Sequence, residues 1–433
     1  MGAPSSKPSV SEQDFGPLLR DRARAFLTIC AAPASSRWSK RRFFEVSAAA
    51  DEVESFLDDH GARTNRTFSA LTELVASIRG FALAGMQLAH LDRRLESYGV
   101  ERRLAGGGGA VLGGMREAHE FVEGRMVLLM EALLEEGRRL ELTDLQRGEG
   151  QRSEEAMPVP PKLPNNVDLD RIDDDDHRIA KVASGYLTAC EMLESVGIES
   201  MDEPDQREEF LRASCSEEAA RVWQATVHNL QSSYDTYVKN TVLETRDERL
   251  PDLRGHISAA LHTLEAATHL IHFVERHERG LRSDMADSVL QRVVPRSQVR
   301  AVTLNQLLVS ALAFIRSGAD IAQALLPSYT RVSSVELNLR EGVFLHARPA
   351  SLIVAIVQHH GTPIELEIDG ARCNAGSILE LMVAIGSHPE QRTFSAHGDE
   401  RTLKDLEALF AADLGEGGLE ALPASLDYLR QRR

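Results

Sequence analysis

The sequence predicts a multidomain chain, with an all-α N-terminal region of two helical modules followed by a C-terminal α+β domain. Three observations carry that expectation. Apolar residues recur at three-and-four spacing over most of the first 326 residues. A Pro-rich stretch divides this helical text in two. The first clear period-two alternation comes only after Pro327. At 433 residues the chain is too long for one core, and sparse aromatics (5%) with abundant Ala and Leu favour helices packed on helices.

Taken in order, residues 1–13 form a Ser/Pro-rich tail expected to be disordered. The first helical module spans 14–145. Within it Phe68, Leu71, Leu74, Val75, Ile78, Phe81 and Ala82 make one apolar stripe, and Met126, Leu129, Met130 and Leu133 make another. Gly106–Gly109 and Gly113–Gly114 lie between the stripes and read as a break between helices. No Gly-Lys-Ser/Thr ending follows that would make them a nucleotide loop. The linker, 146–168, contains Pro158, Pro160, Pro161 and Pro164, which cannot enter a helix interior. The Asp173–Asp176 run after it reads as a solvated helix start, since consecutive carboxylates on a helix diverge.

The second helical module spans 169–328, its clearest helix carrying Ile257, Leu261, Leu264, Ile271 and Val274. At an offset of 182, Leu71, Leu88, His90, Arg94 and Glu96 fall opposite Leu253, Leu270, His272, Arg276 and Glu278, five identities that suggest duplication. Glu265, His269 and His272 share one helical face and are of metal-ligating type. A buried di-metal bundle needs matching carboxylates on neighbouring helices, and no second Glu-x-x-His element occurs. These are expected to be polar-face histidines, with no metal and no cofactor.

The formal charge is −17, from 66 acidic against 49 basic side chains, which argues against nucleic acid as a partner. The basic knot Arg37–Arg42 reads as a helix start leading into Phe43 and Phe44. Four scattered cysteines suit a reducing, cytoplasmic setting. No run approaches about 18 apolar residues, so no membrane insertion is expected. A homo-oligomer formed through the helical region is a further expectation.

From 333 to 433 the text alternates strand and helix. Val335–Leu339 and Ile364–Ile368 have period two, the second closing on Asp369-Gly370, a strong hairpin signal. Thr393–Ala396 suggests a third full strand, and helical runs fall at 348–359, 378–385 and 400–412. At the junction of the first strand and first helix stands Phe344-Leu345-His346-Ala347-Arg348-Pro349-Ala350. A helix start offers unpaired N–H groups, here those of Ala347 and Arg348, and the positive end of a dipole, both of which favour phosphate. Arg348 adds a charge-assisted fork, and Pro349 is harmless in the first turn. An imidazole titrates near neutrality, so it can attack as a neutral base and later leave.

This segment resembles the active-site signature of HPr, the histidine-containing phosphocarrier of the phosphoenolpyruvate-dependent sugar phosphotransferase system, which reads Gly-Leu/Ile-His-Ala/Thr-Arg-Pro-Ala. Asn374–Met382 with Gly386, and Ala396-His397-Gly398-Asp399-Glu400, resemble two further elements of the family in the same order. The resemblance implies an open-faced β-sandwich over 333–433. It implies that His346 takes phosphate from Enzyme I on the ring nitrogen nearer the backbone, with Arg348 steadying it, and passes it to an EIIA-type protein. Ser377 matches the serine modified by a regulatory serine kinase in some bacterial lineages, although Ser377 with Glu380 also forms a capping box that starts a helix. Ile378, Leu379 and Met382 match the family's apolar docking patch. Phe344 replaces the family's glycine, and Gly376 stands where a basic residue is usual. A non-catalytic alternative makes the domain a docking platform only.

Overall fold

The computed structural model describes residues 10–33, 37–148, 175–278 and 284–430. Most of the tail, the linker from residue 149 onward and Asp173–Asp174 lie outside the described residues. Two compact units emerge. One draws on the described residues of 1–164, 191–228 and 254–317, the other on those of 165–190, 229–253 and 318–433.

The helices are α1 (Glu12–Ala31), α2 (Lys40–Asp59), α3 (Ser69–Tyr98), α4 (Gly109–Arg139), α5 (Asp175–Ser195), α6 (Pro204–Ser214) and α7 (Glu217–Tyr237). They continue as α8 (Val242–Arg246), α9 (Arg249–Glu278), α10 (Asp284–Val293), α11 (Arg296–Ala301), α12 (Val309–Ser317) and α13 (Ala319–Tyr329), with a π-helical segment, Val302–Leu308, between α11 and α12.

In the first unit α1 packs on α2 and α4, and α3 packs on the same two, closing a four-helix bundle. The predicted stripe is its core, with Leu71, Leu74, Ile78, Phe81 and Ala82 all at 1% exposure or less. The basic knot does start a helix. Ser39 caps α2 through Arg42 N–H at 3.1 Å, and Arg42 lies over the buried Trp38 ring. One glycine expectation is corrected. Ala105–Gly108 forms the break, as a 3₁₀ turn, but Gly109 starts α4, and Gly113 and Gly114 lie inside it, where tertiary packing outweighs the roughly 1 kcal/mol that each glycine costs a helix. α3 and α9 are each 30 residues long. They meet antiparallel, with Phe81 edge-on to Phe273, His90 against His262, and no room for a Cβ at Gly255 beside the Tyr98 carbonyl.

Ser69–Tyr98 and Arg296–Tyr329 are long and apolar enough to cross a membrane by length and composition alone, with mean hydropathy 1.3. Each is 67% buried within the protein over its most apolar stretch, as core helices are.

The C-terminal α+β domain holds four strands, β1 (Val332–Asn338), β2 (Ile364–Ile368), β3 (Ala371–Asn374) and β4 (Thr393–Asp399). Its helices are α14 (Ala347–His360), α15 (Ile378–Ser387) and α16 (Glu400–Ala411). The sheet is antiparallel throughout, in the order β1-β4-β2-β3. Asp369 and Gly370, at φ 50° and 82°, turn β2 into β3 as the Asp-Gly pair predicts. Alternation sorts the faces. Leu337, Ile364, Leu366, Ile368, Phe394 and Ala396 are buried against the helices, while Glu365, Glu367, Arg372 and His397 line the open face. There Arg372 bridges Glu365 and Glu367 at 3.1 and 3.3 Å.

Candidate functional site

Burial aims the side chains of the signature. Leu345, Pro349 and Ala350 anchor inward, so His346, Ala347 and Arg348 between them face solvent. His346 is the N-cap residue of α14, with extended backbone (φ −139°, ψ −174°). Its carbonyl accepts the Ala350 N–H at 3.0 Å, but its ring makes no capping bond. The imidazole is therefore available, with 54% of its side chain exposed. The N–H groups of Ala347 and Arg348 fall in the first turn, which has no intrahelical acceptors, and Pro349 has no N–H to offer. Arg348 is exposed, and among the described residues its guanidinium makes no hydrogen bond or ion pair.

Glu416 faces the ring from the far end of the chain. Its Oε1 lies 2.8 Å from His346 Nε2. Nothing in the sequence marked Glu416, which stands 70 positions away from the signature and belongs to no motif.

The other end of α14 is held by opposite chemistry. Gly361 ends the helix at φ 69°, and Lys181 of α5 donates to the His359 carbonyl at 3.1 Å. His360 Nε2 and Tyr428 Oη bond Asp405 at 2.9 and 2.6 Å. Burial alone would raise the Asp405 carboxyl, but these two hydrogen bonds, together with the fields of His360 and His359, outweigh it and hold the group below the usual carboxylate range.

Ser377 is the N-cap of α15. Its Oγ accepts the Glu380 N–H at 3.3 Å, while the Glu380 carboxylate reaches back to the Asn374 N–H at 3.0 Å instead of to Ser377. Gly376 has a packing reason, since a Cβ there would stand 3.1 Å from Val357 Cγ1. On α15, Ile378 (44% exposed) and Leu379 (73%) are open to solvent, and Met382 is half-buried against the core. The structure adds Val383, 62% exposed and one helical turn beyond Leu379, and Phe344 at 58%. Helical spacing from Leu379 was the signal available for Val383.

The Glu265/His269/His272 face is divided among other partners. Glu265 bonds His262 at 2.9 Å and His272 bonds Glu217 at 2.7 Å. Among the described residues no group of three or more His, Cys, Asp or Glu could hold a metal ion.

A four-stranded antiparallel sheet with helices on one face, presenting an outward imidazole at a helix start, is the arrangement a small histidine phosphocarrier domain requires. The particular family follows: residues 333–412 match the family described as the PTS HPr component phosphorylation site, so this chain carries a PTS HPr domain as the C-terminal part of a longer, mainly helical protein. Such a domain implies phosphotransferase-system partners in phosphoryl transfer. No curated protein and no solved structure matches the chain.

Proposed function

We propose that the protein is a phosphocarrier of the phosphotransferase system, accepting phosphate on His346 from Enzyme I and passing it to an EIIA-type acceptor or signalling with it. The observation that carries this reading is the exposed, non-capping imidazole at the start of α14, beside an uncommitted Arg348. The orphan N–H groups of Ala347 and Arg348 and the helix dipole would hold the phosphoryl oxygens, with the Arg348 guanidinium adding a charged fork. Positioning and charge stabilisation supply most of the catalysis in such transfers. Ile378, Leu379 and Met382 would seat the partners, and the helical region would act as a regulatory or partner-binding module, open to self-association. Ser377 is a candidate for a regulatory serine kinase. A phosphate there would add charge at a helix start, which favours α15, and would place it beside an apolar docking surface, which disfavours docking. The setting is proposed to be the bacterial cytoplasm, serving sugar-transport regulation.

The test is incubation of the full chain with Enzyme I and phosphoenolpyruvate. Acid-labile phosphate is expected on the wild type and not on His346→Ala. Absence of label on the wild type would end the carrier reading.

The exposed Phe344, in place of the family's glycine, supports a second reading, in which the domain is a docking platform only. Partner pull-down that survives His346→Ala but is lost with Met382→Asp would favour it.

A further inference from the structure

The family match ends at residue 412, yet the described chain continues to 430 and returns over the domain. Leu414, Leu422, Leu426 and Leu429 of this extension are buried in the same core as β2 and α14. Asp413, Leu414 and Gly415 run in succession through the left-handed region, at φ 49°, 54° and 71°. Two non-glycine residues in that region are strained. The strain is held by the Leu414 side chain, 1% exposed, and by Arg340, which binds Asp413 at 3.2 Å. A segment fixed in this way delivers the next residue, Glu416, to His346 Nε2.

We propose that Glu416 is a positioning residue for the phosphoryl acceptor, and this rests on His346 being that acceptor. The carboxylate accepts the Nε2–H of the neutral ring, which fixes the tautomer and leaves the lone pair on Nδ1. In the transfer, the Nδ1 lone pair forms the N–P bond. The bond from phosphorus to the donor atom of the phosphorylated partner breaks, and its electron pair leaves with the donor. The proton at Nε2 stays between the ring and Glu416. The product is a phosphoimidazolium facing a carboxylate, and a positively charged ring is the better leaving group for onward transfer. Arg348 and the helix start would meet the phosphate on Nδ1, while Glu416 holds Nε2. The same ring is thereby addressed by opposite charges at its two nitrogens.

The test uses the full chain with Enzyme I and phosphoenolpyruvate, comparing wild type, Glu416→Ala, Glu416→Gln, Glu416→Asp and His346→Ala. The rate of labelling and the ¹⁵N shifts of the His346 ring are read together. Glu416→Ala is expected to label roughly tenfold more slowly, the low end for one hydrogen bond to a charged group. Its ring nitrogens should report a tautomer mixture where the wild type shows Nε2–H. Glu416→Gln, whose amide oxygen still accepts the Nε2–H, should keep the wild-type tautomer and lose only the part of the rate that the charge supplies, and Glu416→Asp should recover part of the rate. Wild-type rates and unchanged nitrogen shifts in Glu416→Ala would overturn the proposal, as would faster labelling, which would make Glu416 a barrier. If the wild type itself takes no phosphate, the carrier reading falls, and the nitrogen shifts alone decide whether Glu416 sets the tautomer.

Discussion

Gly398 offers the sharpest test of how the site is scaffolded. It lies in β4, between β1 and β2, opposite Ser333 on one side and Ile364 on the other. Its φ is +155°, and a Cβ there would stand 2.4 Å from Ile364 Cδ1 and 2.7 Å from the Pro363 carbonyl oxygen. The side-chain contact could relax by a rotamer change, but the carbonyl is backbone. Gly398→Ala therefore combines backbone strain of about 1–3 kcal/mol with overpacking of about 1–3 kcal/mol. The sum, about 2–6 kcal/mol, is a large part of the roughly 5–15 kcal/mol that stabilises a typical domain. Gly342→Ala is the matched control. It has φ +88° but nothing within 4 Å of the new Cβ, so only the backbone cost of about 1–3 kcal/mol applies. The assay is urea unfolding of the full chain, followed by hydrogen exchange in peptides covering 332–338, 364–368 and 393–399. Gly398→Ala should lose protection in all three strands at clearly lower urea than Gly342→Ala. Midpoints for the two variants within about 0.5 kcal/mol of each other would refute the argument that backbone crowding sets the cost.

Three further outcomes are expected. Ser377→Ala removes the α15 cap and should cost about 1 kcal/mol, whereas Ser377→Asp, which can cap, should stay near wild type; equal losses would show that the cap contributes nothing. The Asp405 carboxyl is held low in the folded domain, so its contribution is present above the unfolded carboxylate value near 4 and is lost as pH falls from there through the lower folded value. Asp405→Asn should flatten acid unfolding of the C-terminal domain in that range, and an unchanged acid limb would count against the His360–Asp405–Tyr428 cluster. His90 is pushed down to about 4, by burial first and then by His262 and Lys40. A base kept neutral in the fold gives full stability above about 6.5, lost progressively as pH falls from there towards 4. His90→Gln should therefore reduce the pH slope of stability of the first unit across that window, read from urea midpoints.

Local physics made part of this protein legible in its sequence. The Asp369-Gly370 turn and the helix start at His346 depend on adjacent residues, so a short window of text specifies them. The apolar stripe of α3 was legible because burial repeats along a helix. Close packing was not, because its cause lies in distant sequence. Gly85 sits inside α3 where a Cβ would stand 2.3 Å from the Phe43 ring, and no window around Gly85 contains Phe43. Gly113 and Gly114 looked like a break for the same reason: their propensity is visible locally, whereas the packing that overrides it is not. β3, at four residues, was too short for periodicity to announce. Glu416 is the strongest case, a functional contact made by chain return and not by motif.

The leucines of the C-terminal return also set the smallest piece of protein that can stand alone. A fragment ending at residue 412 would keep every family signature and lose Leu414, Leu422, Leu426 and Leu429 from the interior. Burying one such side chain is worth about 1.5–3 kcal/mol, so four, about 6–12 kcal/mol, are comparable with the roughly 5–15 kcal/mol that stabilises a whole domain. Their removal would also open an apolar face to neighbouring molecules. Trimming to the recognisable signature should thus yield a sticky, partly unravelled polypeptide, and the unit that folds is larger than the unit that sequence comparison detects.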